Sequence, residues 1–306
     1  MTIQFYGAPQ FGNPDLFTRN IEVNIVEYLK WGFLQAGGYH NVSYTDISIP
    51  STGSSFASLQ FFHDPNFVDG QVWQGRRTNW VWESGLNQPT QPIVVAVYVG
   101  LTLQNPSTYA VDYNGGRIIF NTAIATTSVV RASYAFRNVQ VYDTAVDWVR
   151  ELDVNSMKMD DIRNATPAGS GGDLEIFASR RAQLPLVIIK PLFNYRGVPY
   201  EVGSSTMKVR QDFHLTCLSQ TPWELFFLHD VLVACDRKFL PAYDINIAPK
   251  TFKSDGSLAV SRQTFEGLVA NFPYKETWNV GTRSSTYWMS GALNCVDVIW
   301  TLETII

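Results

Sequence analysis

Four histidines, His40, His63, His214 and His229, are the side chains best suited to proton transfer or metal binding in this chain. None falls in H-x-H or H-E-x-x-H, the spacings that bring two imidazoles to one face of an element. His63-Asp64 sets a base beside a carboxylate, but Pro65-Asn66 follows at once and that composition reads as a turn. His229 sits in an apolar helical run and reads as a core or interface histidine with one satisfied nitrogen. Asp160-Asp161 is a carboxylate pair in sequence only, since a strand would point the two to opposite faces. Gly169 to Gly172 lacks the lysine and helix of a phosphate cradle, and neither G-x-S-x-G nor G-x-G-x-x-G occurs. The sequence thus predicts no catalytic residue, no cofactor and no metal site, and the protein is expected not to be an enzyme.

Trp73, Trp80 and Trp82 admit two readings. Exposed, the rings could stack on a sugar; packed in a β core or a subunit contact, they bury area. Subunit contacts are enriched in Trp and Arg, so Arg76, Arg77 and Trp80 are candidates for one.

The elements that would position such residues are clearest between Met207 and Lys238. Met207, Val209, Phe213, Leu215 and Cys217 alternate with polar residues, which predicts a strand with one buried face. Thr221-Pro222-Trp223-Glu224 then reads as a capping box opening a helix to about Asp236. Apolar residues cover nearly its whole circumference, far beyond the stripe of about 100° that a surface helix needs. Something else, from the same chain or from a neighbouring subunit, must cover the rest, and Phe226, Phe227 and Val231 are the candidates for a subunit interface.

Composition sets the outer bounds. Of 306 residues, 16% are charged and 14% aromatic, with a net charge of −4. That balance gives no reason to expect nucleic-acid readout. Cys217, Cys235 and Cys295 are odd in number and lack C-x-x-C spacing, so buried free thiols and a reducing compartment are expected. The first residues show no secretion signal, and Ile93 to Val99 is too short to span a bilayer.

In order, residues 1–14 read as an arm and Asp15 to Leu34 as a helix stopped by Gly37-Gly38. From Val42, short strand candidates alternate with turns: Leu59 to Phe62, Ile93 to Val99, Ser128 to Phe136 and Val139 to Tyr142. Tyr109 to Phe120 is a hairpin turning at Asn114-Gly115-Gly116. Leu184 to Phe193 reads as a strand which Pro185 and Pro191 would confine to an edge or bulge. A terminal strand is expected near Leu293 to Leu302. The fold class predicted is α+β, mostly β: an N-terminal arm and helix (1–41), a β-sandwich (42–163), a linker (164–173) and an α+β assembly domain (174–306). The two helices are expected to share one sheet.

Several stretches together resemble virion structural proteins of contractile-tailed, cyanophage-like bacteriophages. They are Trp31-Gly32-Phe33-Leu34 with Gly37-Gly38, Asp69 to Gln74 through Trp80 to Glu83, Val111-Asp112-Tyr113 with Gly116 to Phe120, and Tyr134 to Tyr142. The order of helix, strands, then a strand entering an apolar helix is similar to tail-terminator and neck proteins. That resemblance implies a ring subunit, hexameric in such proteins, joining head connector to tail tube and sheath. The expected partners are copies of itself and other neck, tube or sheath proteins, with no membrane, in a virion assembled in the bacterial cytoplasm. A baseplate or receptor- and glycan-binding tail component is the alternative.

Overall fold

The computed structural model describes residues 17–45, 56–144, 183–192, 194, 196–199, 207–254, 256–290 and 293–305. The protein is a mostly-β α+β fold with two curled sheets and, among the described residues, three α-helices. It forms two compact units: Met1–Leu29, Val141–Ala248 and Phe265–Ile306 make the first, Lys30–Gln140 and Pro249–Thr264 the second. Pro249–Thr264, inside the expected 174–306 domain, thus belongs to the second unit. The expected arm 1–14 and linker 164–173 lie outside the described residues.

The first unit is built on β12 (Met207–Ser219), with β15 (Leu293–Ile305) on one side and β10 (Leu186–Pro191) and β11 (Arg196–Pro199) on the other. β14 (Thr277–Ser290) and the short β13 (Phe239–Leu240) extend the sheet past β15, and β9 (Gln140–Asp143) lies beyond β10. β12 alternates as expected: Val209, Phe213, Leu215 and Cys217 are buried, and the Phe213–Trp300 register puts both rings on that face. Helix α2 (Pro222–Val233) starts in the capping box, Thr221 and Glu224 bonding reciprocally. It packs Leu225, Leu228 and Leu232 on the sheet. The Trp300 indole donates at 3.1 Å to the Leu232 carbonyl at the helix end, which also accepts from the Cys235 N–H.

Helix α1 (Phe17–Gln35) serves the same face of that sheet. Ile21, Ile25 and Leu29 are buried, and Thr18 donates to Gln211 on β12 at 3.0 Å. The short helix α3 (Phe265–Asn271) sets the Phe265 ring edge-on to Tyr28 and Tyr243. Glu22, although buried, is fully engaged by Arg19 and by the Thr144 backbone N–H and hydroxyl.

β10 departs from expectation, because it lies between β12 and β9 and not at an edge. Pro185 precedes the strand and Pro191 ends it, so no interior N–H of the ladder is lost. β14 is a full strand that the hydrophobic pattern does not show. Its inward residues are Thr277 and Asn279, both buried, while Trp278 and Val280 face water.

The second unit is one eight-stranded sheet bent over on itself, a sandwich-like form without two separate sheets. Its order is β5 (Thr102–Leu103), β4 (Ala96–Val99), β8 (Val130–Arg137), β2 (Ser58–Phe61), β3 (Val72–Gln74), β7 (Arg117–Phe120) and β6 (Tyr109–Asp112). β1 (Tyr39–Val42) also pairs with β8. Trp73, Trp80, Val97, Ile118 and Tyr134 fill the concavity. The expected strand from Ile93 shortens to Ala96–Val99, because the Ile93 N–H goes to the Asn41 side chain instead of a ladder. Val94 is accordingly 83% exposed. At the end of α1, Gly37 takes φ +81°, its N–H meeting Leu34 O and that of Gly38 meeting Phe33 O. Arg137 and Glu83 form a buried ion pair in this unit, and Arg137 also donates to Lys30 O.

Candidate functional site

Helix α2 carries two apolar stripes on opposite sides. Leu225, Leu228 and Leu232, at i, i+3 and i+7, are fully buried on the sheet. Trp223, Phe226 and Phe227, at i, i+3 and i+4, point the other way and are 80%, 51% and 50% exposed. Val231 lies on the flank, half-buried. If each ring keeps that fraction of about 250 Å², the outward stripe exposes on the order of 400 Å² of aromatic surface. The largest apolar patch on an ordinary monomer is about 300–600 Å² and is often functional. Trp223, the most exposed of the three, is absent from the sequence-based interface set, although its spacing to Phe226 and Phe227 signals it.

Beside the stripe, His229 Nε2 lies 2.8 Å from Ser284 Oγ on β14, and its Nδ1 3.3 Å from Asp230. The order serine, histidine, carboxylate is that of a hydrolase triad. Here the carboxylate is the next residue along the helix, with its side chain 81% exposed, so it is too well solvated to orient the ring as a buried Asp does.

The other three expected interface residues lie elsewhere. Trp80 is 1% exposed, stacked on Tyr134 at 4.1 Å, its indole donating to Arg77 O at 2.7 Å. It has no surface to offer a neighbouring subunit. Arg77 is spent inside the unit, its guanidinium over the Phe136 and Phe56 rings. Arg76 and Arg77 are both half-buried in a segment tied to the β6–β7 turn by Gly75 N–H to Gly116 O and Asn79 N–H to Asn114 O. The sugar-stacking alternative loses two rings of three: Trp73 is buried as well, and half-buried Trp82 packs edge-on to Phe252. His63 pairs with Asp69 on the surface, and Asp64 accepts from the Asn66 N–H in the expected turn.

The face of the first-unit sheet opposite α2 is polar and ordered in rows. Lys208 and Arg210 both bind Glu303 at 2.9 and 2.6 Å. Asp212 accepts from Arg283, Asn194 and Thr301, while Asp297 takes His214 and Thr216. Burial alone would raise the Glu303 carboxyl, but the hydrogen bonds and charge of Lys208 and Arg210 outweigh it and hold it below the usual range. Asp297 behaves alike: burial opposes, His214 and Thr216 prevail, and its pKa is lowered. Burial pushes the Cys217 thiol up, and it pushes the Tyr28 hydroxyl up to about 12 with help from Cys235. All three cysteines are free thiols.

Among the described residues no three His, Cys, Asp or Glu side chains cluster to hold a metal, and no helix is long and apolar enough to cross a membrane. No family model matches the chain, and no curated protein matches it.

Proposed function

We propose that the protein is a structural ring subunit of a tailed-phage neck or tail, assembling through the outward stripe of α2. The observation that carries this reading is the exposure of Trp223 (80%), Phe226 (51%) and Phe227 (50%) on a helix whose other side is already buried. Burying one such stripe yields about 10 kcal/mol at about 25 cal/mol per Å². Association costs about 4–15 kcal/mol in lost freedom, so one stripe against a polar surface roughly breaks even and two apolar surfaces facing each other exceed the cost. The place in a phage particle is supported by the motif resemblance of residues 20–220, and the hexameric ring by the terminator-like order of elements. The second unit would then supply the contact to a sheath, collar or fibre.

Light scattering behind size exclusion tests the assembly. A defined oligomer that Phe226→Ser with Phe227→Ser converts to monomer supports the reading, and a wild-type monomer at every concentration defeats it. Copy number in purified virions tests the location: six or twelve copies fit a neck ring, and none at all overturns the phage assignment.

A further inference from the structure

The polar face of the first-unit sheet holds an arrangement that the fold does not require. Arg196 on β11 stands directly opposite Arg210 on β12, and the register continues through Glu303 to Trp278 and Phe239. Cross-strand partners point to one face, so these five residues form a single row across five strands. Like charges directly opposite are destabilising. Glu303 is occupied by Lys208 and Arg210, and Arg196 adds a third cation beside them. Arg196 is exposed, and the Arg210 side chain is 54% exposed after pairing. At the far end of the row Trp278 and Phe239 meet edge-to-face at 5.3 Å and remain 43% and 45% exposed. Strands about 4.8 Å apart put the aromatic pair roughly 10–15 Å from the paired arginines.

We propose that this row is a docking surface for an acidic segment of a partner protein, a carboxylate seated between Arg196 and Arg210 and an apolar side chain against Trp278 and Phe239. Guanidinium forks match carboxylates in geometry, and an anion between the two arginines relieves their repulsion. A nucleic-acid strand fits less well. Asp212, Asp297 and Glu303 punctuate the same face, and a phosphate at every nucleotide would meet them in a chain of net charge −4. The surface is separate from the outward stripe of α2, a helix packed on the opposite side of the sheet.

The test is fluorescence anisotropy with a labelled peptide alternating glutamate and leucine, titrated with the full chain at low salt. Arms with the lysine–leucine counterpart and a thymidine oligonucleotide run in parallel. Saturable binding of the acidic peptide, weakened at least tenfold by Arg196→Ser with Arg210→Ser and severalfold by Trp278→Ser, supports the proposal. Arg196→Ser alone leaves the Glu303 pairs intact and keeps the test sound if the double variant unfolds. Phe227→Ser, on α2, is expected to bind as wild type does, so loss of ring assembly and loss of this surface read out separately. Absence of saturable binding, equal binding by the arginine variants, or tighter binding of the oligonucleotide overturns it.

Discussion

The side chain of Asn24 and the backbone of Tyr243, 219 residues apart, hold each other by two hydrogen bonds of 2.8 Å. Asn24 Nδ2 donates to Tyr243 O, and the Tyr243 N–H donates to Asn24 Oδ1, so one buried amide does for the 243 turn what a neighbouring strand would. Replacement by Ala leaves a buried N–H and a buried C=O without partners. Asn24→Ala is expected to cost about 3 kcal/mol in urea denaturation. A loss within experimental error would mean that water takes the place of the amide.

The two stripes of α2 separate stability from assembly. Leu228→Ala removes a fully buried side chain and is expected to cost about 2–5 kcal/mol. Trp223→Ser changes a residue 80% exposed, so the melting temperature of the monomeric form should stay nearly constant while the oligomer dissociates. Thermal melts and light scattering on the same samples distinguish the two.

Gly116 sits at φ +64°, and a Cβ there would lie 2.3 Å from Arg77 O. The left-handed conformation alone costs a non-glycine residue about 1–2 kcal/mol, and the clash with backbone adds to it. Gly116→Ala should therefore destabilise the second unit by more than about 2 kcal/mol. Trp80 provides the optical readout, since its indole bonds the same Arg77 carbonyl.

Acid should unfold the first unit through Asp297 and Glu303. Both carboxyls are held below their ordinary values in the folded protein, so the unfolded chain takes up protons first as pH falls. Their stabilisation is complete above the unfolded values near about 4 and disappears as pH drops through the folded ones. His214→Ala removes a partner of Asp297 and should make the acid limb of a melting-temperature profile shallower, while the part of that limb due to Glu303 stays in place. An unchanged acid limb would show that His214 does not contribute to holding Asp297 ionised.

At the other end, Tyr28 is raised to about 12 by burial and by Cys235, so its contribution is intact below its ordinary value near about 10 and lost as pH climbs through the folded one. Tyr28→Phe is expected to shift alkaline unfolding to higher pH, followed by far-ultraviolet circular dichroism.

The chain by itself determined whatever depends on a few neighbouring residues. The alternation of β12, the capping box at Thr221, the stop at Gly37 and the hairpin at Asn114 to Gly116 were all legible, because period, cap chemistry and turn dihedrals act over one or two turns of chain. The excess of apolar surface on α2 was legible for the same reason. Tertiary structure alone decided which polar residues go inside. Thr277, Asn279, Asn24 and Glu22 are buried because distant partners satisfy them, and no local pattern announces a partner from elsewhere in the fold. It also decided that Trp80 fills a core and Trp223 faces water, two tryptophans alike in type and opposite in fate. A side chain's burial depends on what the rest of the chain places over it, and that is a property of the packed molecule.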